Sequence, residues 1–145
     1  MTRVAIIVAN VIMRSGTQTL LTRGGIPPNC VVTFDSVATF LAYPESAQFT
    51  LALLDDDPYF TDIEDIIEQI LQVNPDLRIM LLSERLMVTY IRRVIKQGIS
   101  GFIYKEGDME QSLPFALSAV QRGTIYLSTE VSEMLLNNEM VSLSG

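Results

Sequence analysis

The sequence predicts an α/β domain built on a doubly wound, five-stranded parallel sheet in (βα)₅ order. Five short apolar runs alternate with amphipathic segments, and each run is apolar on both alternating faces, as a strand covered by helices on both sides must be. The third run ends in acids, which puts carboxylates at the carboxyl edge of the sheet, where such architectures hold their ligands.

The first strand is Val4-Ala5-Ile6-Ile7-Val8, followed by a helix over about residues 12–22 that ends before Gly24-Gly25. The second strand, Cys30-Val31-Val32-Thr33-Phe34, leads into a short helix over about 36–43, capped by Asp35 and stopped before Pro44. Leu51-Ala52-Leu53-Leu54 is the third strand. In the helix after it, Ile63, Ile66, Ile67, Ile70 and Leu71 recur at helical spacing behind a capping box of Thr61 with Glu64. Ile79-Met80-Leu81-Leu82 is the fourth strand. Val88, Ile91, Val94 and Ile95 then mark one face of a helix that stops at Gly98. Gly101-Phe102-Ile103-Tyr104 is the fifth strand, before a helix over about 108–122 that turns Leu113, Ala116, Leu117 and Val120 inward and closes at Gly123. Pro114 inside it is expected to displace or kink its start. Thr124-Ile125-Tyr126-Leu127 reads as extended, Ser128 as the cap of a last helix over about 129–137, and the tail to Gly145 as a linker. The organisation expected is one domain over 1–123, with a short helix and linker-like tail over 124–145.

At 145 residues the chain fits one domain, and its 48% hydrophobic and 19% charged residues suit a globular core. No run approaches the roughly 18 apolar residues of a membrane span, and the apolar stretch after Met1-Thr2-Arg3 is too short for a secretory signal. A cytoplasmic protein without membrane contact is expected. The lone Cys30 reads as a small buried thiol. A net charge of −7 opposes binding a polyanion, so no nucleic-acid contact by this chain is expected. With no histidine, Ser-His and Cys-His catalysis, histidine metal ligation and a phosphohistidine carrier are all removed, and no enzyme activity is expected.

The third strand runs into Asp55-Asp56-Asp57-Pro58, the fourth ends in Ser83 and the fifth leads to Lys105. Strand ends three, four and five thus supply carboxylate, hydroxyl and ammonium, a set suited to a phosphoryl group. An acidic turn, a helix cap and a solvated charge would place the same residue types there without any chemistry.

These residues, with Arg14-Ser15-Gly16, Asn74-Pro75-Asp76-Leu77-Arg78-Ile79 and above all Gly98-Ile99-Ser100-Gly101-Phe102-Ile103-Tyr104-Lys105, resemble response-regulator receiver domains of the NarL/LuxR-like branch, up to about Leu136. Ala119-Val120-Gln121-Arg122-Gly123 and Tyr126-Leu127-Ser128 are similar to the end of that branch's receiver. The resemblance implies a flavodoxin-like, CheY-like fold in a two-component system. It makes Asp55 the phosphoacceptor, Ser83 the hydroxyl that senses the phosphoryl group, Phe102 the aromatic switch and Lys105 the family's lysine. A carboxylate can carry a phosphoryl group as an acyl phosphate, and an ammonium offsets its charge.

The family's two acidic residues after the first strand fall on Val8 and Ala9, neither able to ligate a cation. Mg²⁺ needs a near-octahedral oxygen shell bridging that pair, the acceptor and the phosphoryl group. Asn10 could lend one carbonyl oxygen, and Asp56 and Asp57 add carboxylates, but from one strand only. Pro58 stands three residues after Asp55 where the family has its proline at four. No resident cofactor is therefore expected, Mg²⁺ included. The expectation is a pseudo-receiver that signals through a protein partner or a homodimer. Its surface would be the fourth helix, fifth strand and fifth helix, with Tyr90, Arg92, Arg93, Lys96 and the turn at 108–111. Two readings compete: a conventional receiver phosphorylated on Asp55 by a histidine kinase, its helix-turn-helix domain lying beyond Gly145, and a small nucleotide- or flavin-binding enzyme. The second is weakened by a first turn, Val8-Ala9-Asn10-Val11, without glycine.

Overall fold

The computed structural model describes residues 2–57 and 62–144, with side chains through Asn138. The capping-box Thr61 and the shifted Pro58 lie outside the described residues. The elements run β1 (Val4–Ile7), α1 (Val11–Arg23), β2 (Val31–Phe34), α2 (Val37–Ala42), β3 (Leu51–Asp55), α3 (Ile63–Val73), β4 (Arg78–Ser83), α4 (Val88–Gln97), β5 (Gly101–Tyr104), α5 (Met109–Gln121), β6 (Tyr126–Leu127) and α6 (Thr129–Ser144). All strand pairs are parallel, in the order β2-β1-β3-β4-β5-β6. The doubly wound α/β class expected from the apolar runs is the class observed, with six strands where five were expected.

The extra strand is two residues long. Tyr126 N–H donates to the Ser100 carbonyl at 3.0 Å and Ser128 N–H to the Phe102 carbonyl at 3.0 Å, so β6 closes the open edge of β5. So short a segment carries no readable period, which is why Thr124 to Leu127 announced only extended backbone.

Strand alternation divides the core in two. Val4, Ile6, Val8, Leu51, Leu53, Met80, Leu82 and Ile103 pack with Leu21, Leu113, Ala116, Leu117 and Val120 beneath α1 and α5. Ala5, Ile7, Ala52, Leu54, Ile79, Leu81 and Phe102 pack beneath the other helices, with Ile63, Ile67, Ile70, Tyr90, Ile91, Val94 and Val131. This parity decides which side of the sheet each residue at the carboxyl edge serves.

The helix ends refine the expected boundaries. Asn10 Oδ1 caps α1 by accepting from Met13 N–H at 3.0 Å. For α2 the cap is Ser36, not Asp35: Ser36 Oγ accepts from Thr39 N–H, three residues on as cap geometry demands, and Asp35 accepts from the Thr39 hydroxyl. Asp62 caps α3 through Asp65 N–H. Gly98 ends α4 at φ +108°, the left-handed stop its position implied. Pro114 does not displace α5, which starts at Met109 behind its Asp108 cap. Cys30 belongs to a 3₁₀ turn before β2 and is half-buried. The last helix runs to Ser144, beyond the expected stop near Asn137, so the tail is helical backbone.

Candidate functional site

The register of the central strands assembles the carboxyl edge. Asp55 pairs with Leu82, Ser83 with Tyr104, and Lys105 N–H donates to the Ser83 carbonyl at 2.9 Å. Three strand ends therefore meet within one backbone layer, and alternation sorts their side chains onto its two faces.

On the α1/α5 face, Lys105 Nζ lies 2.7 Å from Asp55 Oδ1 and also donates to the Asp56 carbonyl at 3.2 Å. Asp55 is 4% exposed. Burial pushes its carboxyl above the ordinary range, the Lys105 hydrogen bond and charge pull it back, and Asp57 and Asp56 push it up again. Val8, next beyond the Ile7–Leu54 pair, belongs to the same face and is fully buried. Arg14 reaches back from the first turn of α1 to donate to the carbonyls of Val8 at 2.9 Å and Ala9 at 3.2 Å. A guanidinium thus stands on the strand end that the receiver resemblance would give to a metal ion.

On the opposite face Asp56 continues the β3 ladder, its N–H donating to the Leu82 carbonyl at 2.7 Å, and its side chain turns away from Asp55. Asp56 Oδ2 accepts from Ser83 Oγ at 2.7 Å and Tyr90 Oη at 2.7 Å, and lies 3.2 Å from Arg85 Nε. The side chain is fully buried, and among the described residues its Oδ1 has no hydrogen-bond partner. Arg85 N–H donates to Ser83 Oγ, and its guanidinium lies 5.5 Å from the centre of the Tyr90 ring. Burial, then the hydrogen bond and charge of Asp56, push the Tyr90 hydroxyl far above its ordinary value, so it stays a donor. Tyr90 meets Phe102 edge to face, with centroids 6.1 Å apart.

Asp55 and Lys105 are thus brought together, whereas Ser83 and Phe102 sit with Asp56 on the other side of the sheet. Asn10 spends its side-chain oxygen on the α1 cap. Asp57 is half-buried at the end of the described segment. Sequence reasoning used Arg14 only as part of a family segment, and missed its contact with the end of β1, the role of Arg85 and the inward role of Tyr90. The signal for Tyr90 was present, since it precedes the inward Val94 by four residues. For the two arginines no local pattern exists.

Of the residues expected on the partner face, Tyr90 needs correction. Tyr90 is 3% exposed and belongs to the core. Arg92 donates to Asn138 of α6 at 3.1 Å, and Arg93 pairs with Glu64 of α3 at 2.7 Å. The edge of β5 is covered by β6. Arg92, Arg93, Lys96, Asp108, Glu110 and Gln111 are exposed, and Met109 is partly buried against the core.

Among the described residues, the oxygens at the Asp55 end of the sheet are largely engaged by cations. Val8 and Ala9 offer only carbonyls, both engaged by a cation, and one Asp55 oxygen is engaged by another. Among the described residues no group of three Asp, Glu, Cys or His side chains could hold a metal ion, and no helix is long and apolar enough to cross a membrane.

No family model and no curated protein matches the chain. Solved structures do. The isolated REC domain of RcsB from Salmonella enterica serovar Typhimurium, solved with the phosphomimetic BeF₃⁻, superimposes with a TM-score of 0.76 at 23% identity, over 92% of this chain and 98% of that one. A LuxR family DNA-binding response regulator from Silicibacter pomeroyi gives 0.72 at 26% identity, over 90% and 99%. A LuxR family two-component response regulator from Aurantimonas sp. SI85-9A1 gives 0.81 at 20% identity, over 97% and 99%. The chain has the fold of these response-regulator receivers.

Proposed function

We propose that the chain is a pseudo-receiver: a receiver that signals by binding a protein partner, without phosphorylation of Asp55 and without Mg²⁺. The observation that carries this reading is the pair of cations at the Asp55 end of the sheet. Lys105 occupies Asp55 Oδ1, and Arg14 occupies the carbonyls of Val8 and Ala9, where a receiver would need acidic metal ligands. Phosphoryl transfer to a carboxylate depends on positioning and on charge neutralisation around the transferred group. A half-buried ammonium and a backbone-bound guanidinium offer fixed charge, but no exchangeable oxygen shell to draw the phosphoryl group in-line toward Asp55. The chain then acts through its surface and turns nothing over.

The test is a titration of the protein with Mg²⁺ and then beryllofluoride, followed through the amide resonances of Asp55, Ser83, Phe102 and Lys105. No saturable shift is expected. Saturable shifts spreading from Asp55 to Phe102 would establish a conventional, phosphorylatable site and end this reading.

A second reading rests on the LuxR-type neighbours, one of them described as DNA-binding. There the chain is the regulatory half of a transcription regulator whose output domain lies elsewhere in the gene product. The mass of the native protein, read on an immunoblot of source cells, decides it: about 16 kDa excludes a fused output domain, since a further domain adds roughly 50 residues or more.

A further inference from the structure

Asp56 is costly to place where it is. Its carboxylate is fully buried, accepts two hydrogen bonds and pairs with Arg85 on Oδ2, and among the described residues leaves Oδ1 without a hydrogen bond. Burying a carboxylate with incomplete partners opposes folding, and an apolar residue of similar size would serve packing better. What the arrangement supplies is linkage. Ser83 ends β4, Arg85 follows it and Tyr90 lies in the first turn of α4, so one oxygen ties the end of β3 to β4 and α4 together.

The linkage continues outward. Tyr90 abuts Phe102 of β5. The Phe102 carbonyl accepts from Ser128 N–H at 3.0 Å, and Ser128 Oγ accepts from Tyr104 N–H at 3.1 Å. Ser128 immediately precedes α6, whose Val131 is fully buried in the same core as Tyr90 and Phe102. Arg92, two residues after Tyr90, reaches Asn138 of α6. On this face α6 contacts both β5 and α4, and Tyr90 of α4 meets Phe102 of β5.

We propose that Asp56 is a fixed internal anion that locks α4, and through Tyr90 and Phe102 the β5–β6–α6 edge, into a single arrangement, so that α6 is presented to partners in one position. This rests on the phosphorylation-independent reading in one respect: an anion that never leaves stands in for one that would be added. Ser83, Tyr90 and Arg85 are positioning residues in this device, and the element they position is α6.

The test is hydrogen exchange on the whole chain, comparing wild type with Asp56→Asn, Tyr90→Phe and, as a control on the other face, Asp55→Asn. Tyr90→Phe removes one hydroxyl and keeps the ring, so it reads the device even if Asp56→Asn does not fold. Both Asp56→Asn and Tyr90→Phe are expected to raise exchange in α4 and α6 by about tenfold, as loss of a hydrogen bond to a charged acceptor implies, while β1, β3 and α1 keep their protection. Asp55→Asn is expected to give no rise in α6 exchange. Unchanged α6 exchange in Tyr90→Phe, or a proportional rise at every amide, overturns the proposal. The beryllofluoride titration on wild type separates the two failures: a saturable response there ends the pseudo-receiver reading, whereas α6 exchange alone decides the role of Asp56.

Discussion

Asp55 and Lys105 show how two adjacent strand ends set a local charge balance. The ammonium is the close cation on a carboxylate from which burial has already removed most of its water. Lys105→Ala leaves that charge uncompensated and is expected to cost about 2 to 3 kcal/mol at neutral pH, measured by urea unfolding. The double variant with Asp55→Asn should recover most of it, because the neutral amide needs no counter-charge; additive losses would show that Lys105 acts through packing alone. The pH dependence has a definite sign. The folded carboxyl titrates above its unfolded value, so its stabilising contribution is complete below the ordinary carboxylate range and is lost as pH rises through the folded value. Asp55→Asn should therefore be more stable than wild type at pH 7, with the difference shrinking toward pH 4. A difference that grows on acidification would mean that Lys105 outweighs burial at this site.

The elements divide into those legible as sequence and those that were not, for physical reasons. β1, β3, β4 and β5 are buried on both faces and read as unbroken apolar runs, and α3 and α4 show clean helical spacing because one face meets the core. Gly98 was legible as a stop because only glycine adopts φ +108° freely, and open space around it leaves the backbone as the sole obstacle. Gly98→Ala is expected to cost about 1 to 2 kcal/mol in urea melts; no loss would mean that the turn relaxes to another conformation. β6 was legible only as extended backbone because two residues have no period, and the last helix was stopped near Asn137 because its tail carries no marked apolar stripe. At the site, Asp55 and Lys105 were visible as strand-end positions, but the separation of Asp56 from Asp55 was not drawn. The parity that separates them was available, since Asp56 falls in step with Ala52 and Leu54, and Ser83 with Ile79 and Leu81. What no pattern could supply was Arg14 and Arg85, whose roles depend on where the chain returns in space.

At the scale of the whole molecule, the question is whether residues 124–145 are an appendage or part of the cooperative unit. A sequence division after Gly123 makes them an appendage. The hydrogen bonds of β6 to β5, the burial of Val131 and the contacts of Leu127, Met134 and Leu135 with the core beneath α3 and α4 are the contacts that would join them to that unit. Two methyl groups and the cavity they leave set the scale of the anchor: Val131→Ala is expected to cost about 2 kcal/mol of global stability. Cooperativity itself can be read with an environment-sensitive fluorophore on α6, using Leu136→Cys at an exposed position and Cys30→Ser to clear the other thiol. If α6 belongs to the fold, its urea midpoint coincides with that of far-ultraviolet circular dichroism, because small single domains unfold as one unit. A label that melts ahead of the sheet by about 1 M urea, roughly 1 to 3 kcal/mol at the slopes usual for small proteins, would instead make α6 a separately docked element. In that case Asp56 would hold α4 alone, and the partner surface would change with the docking of α6 instead of being fixed by the core.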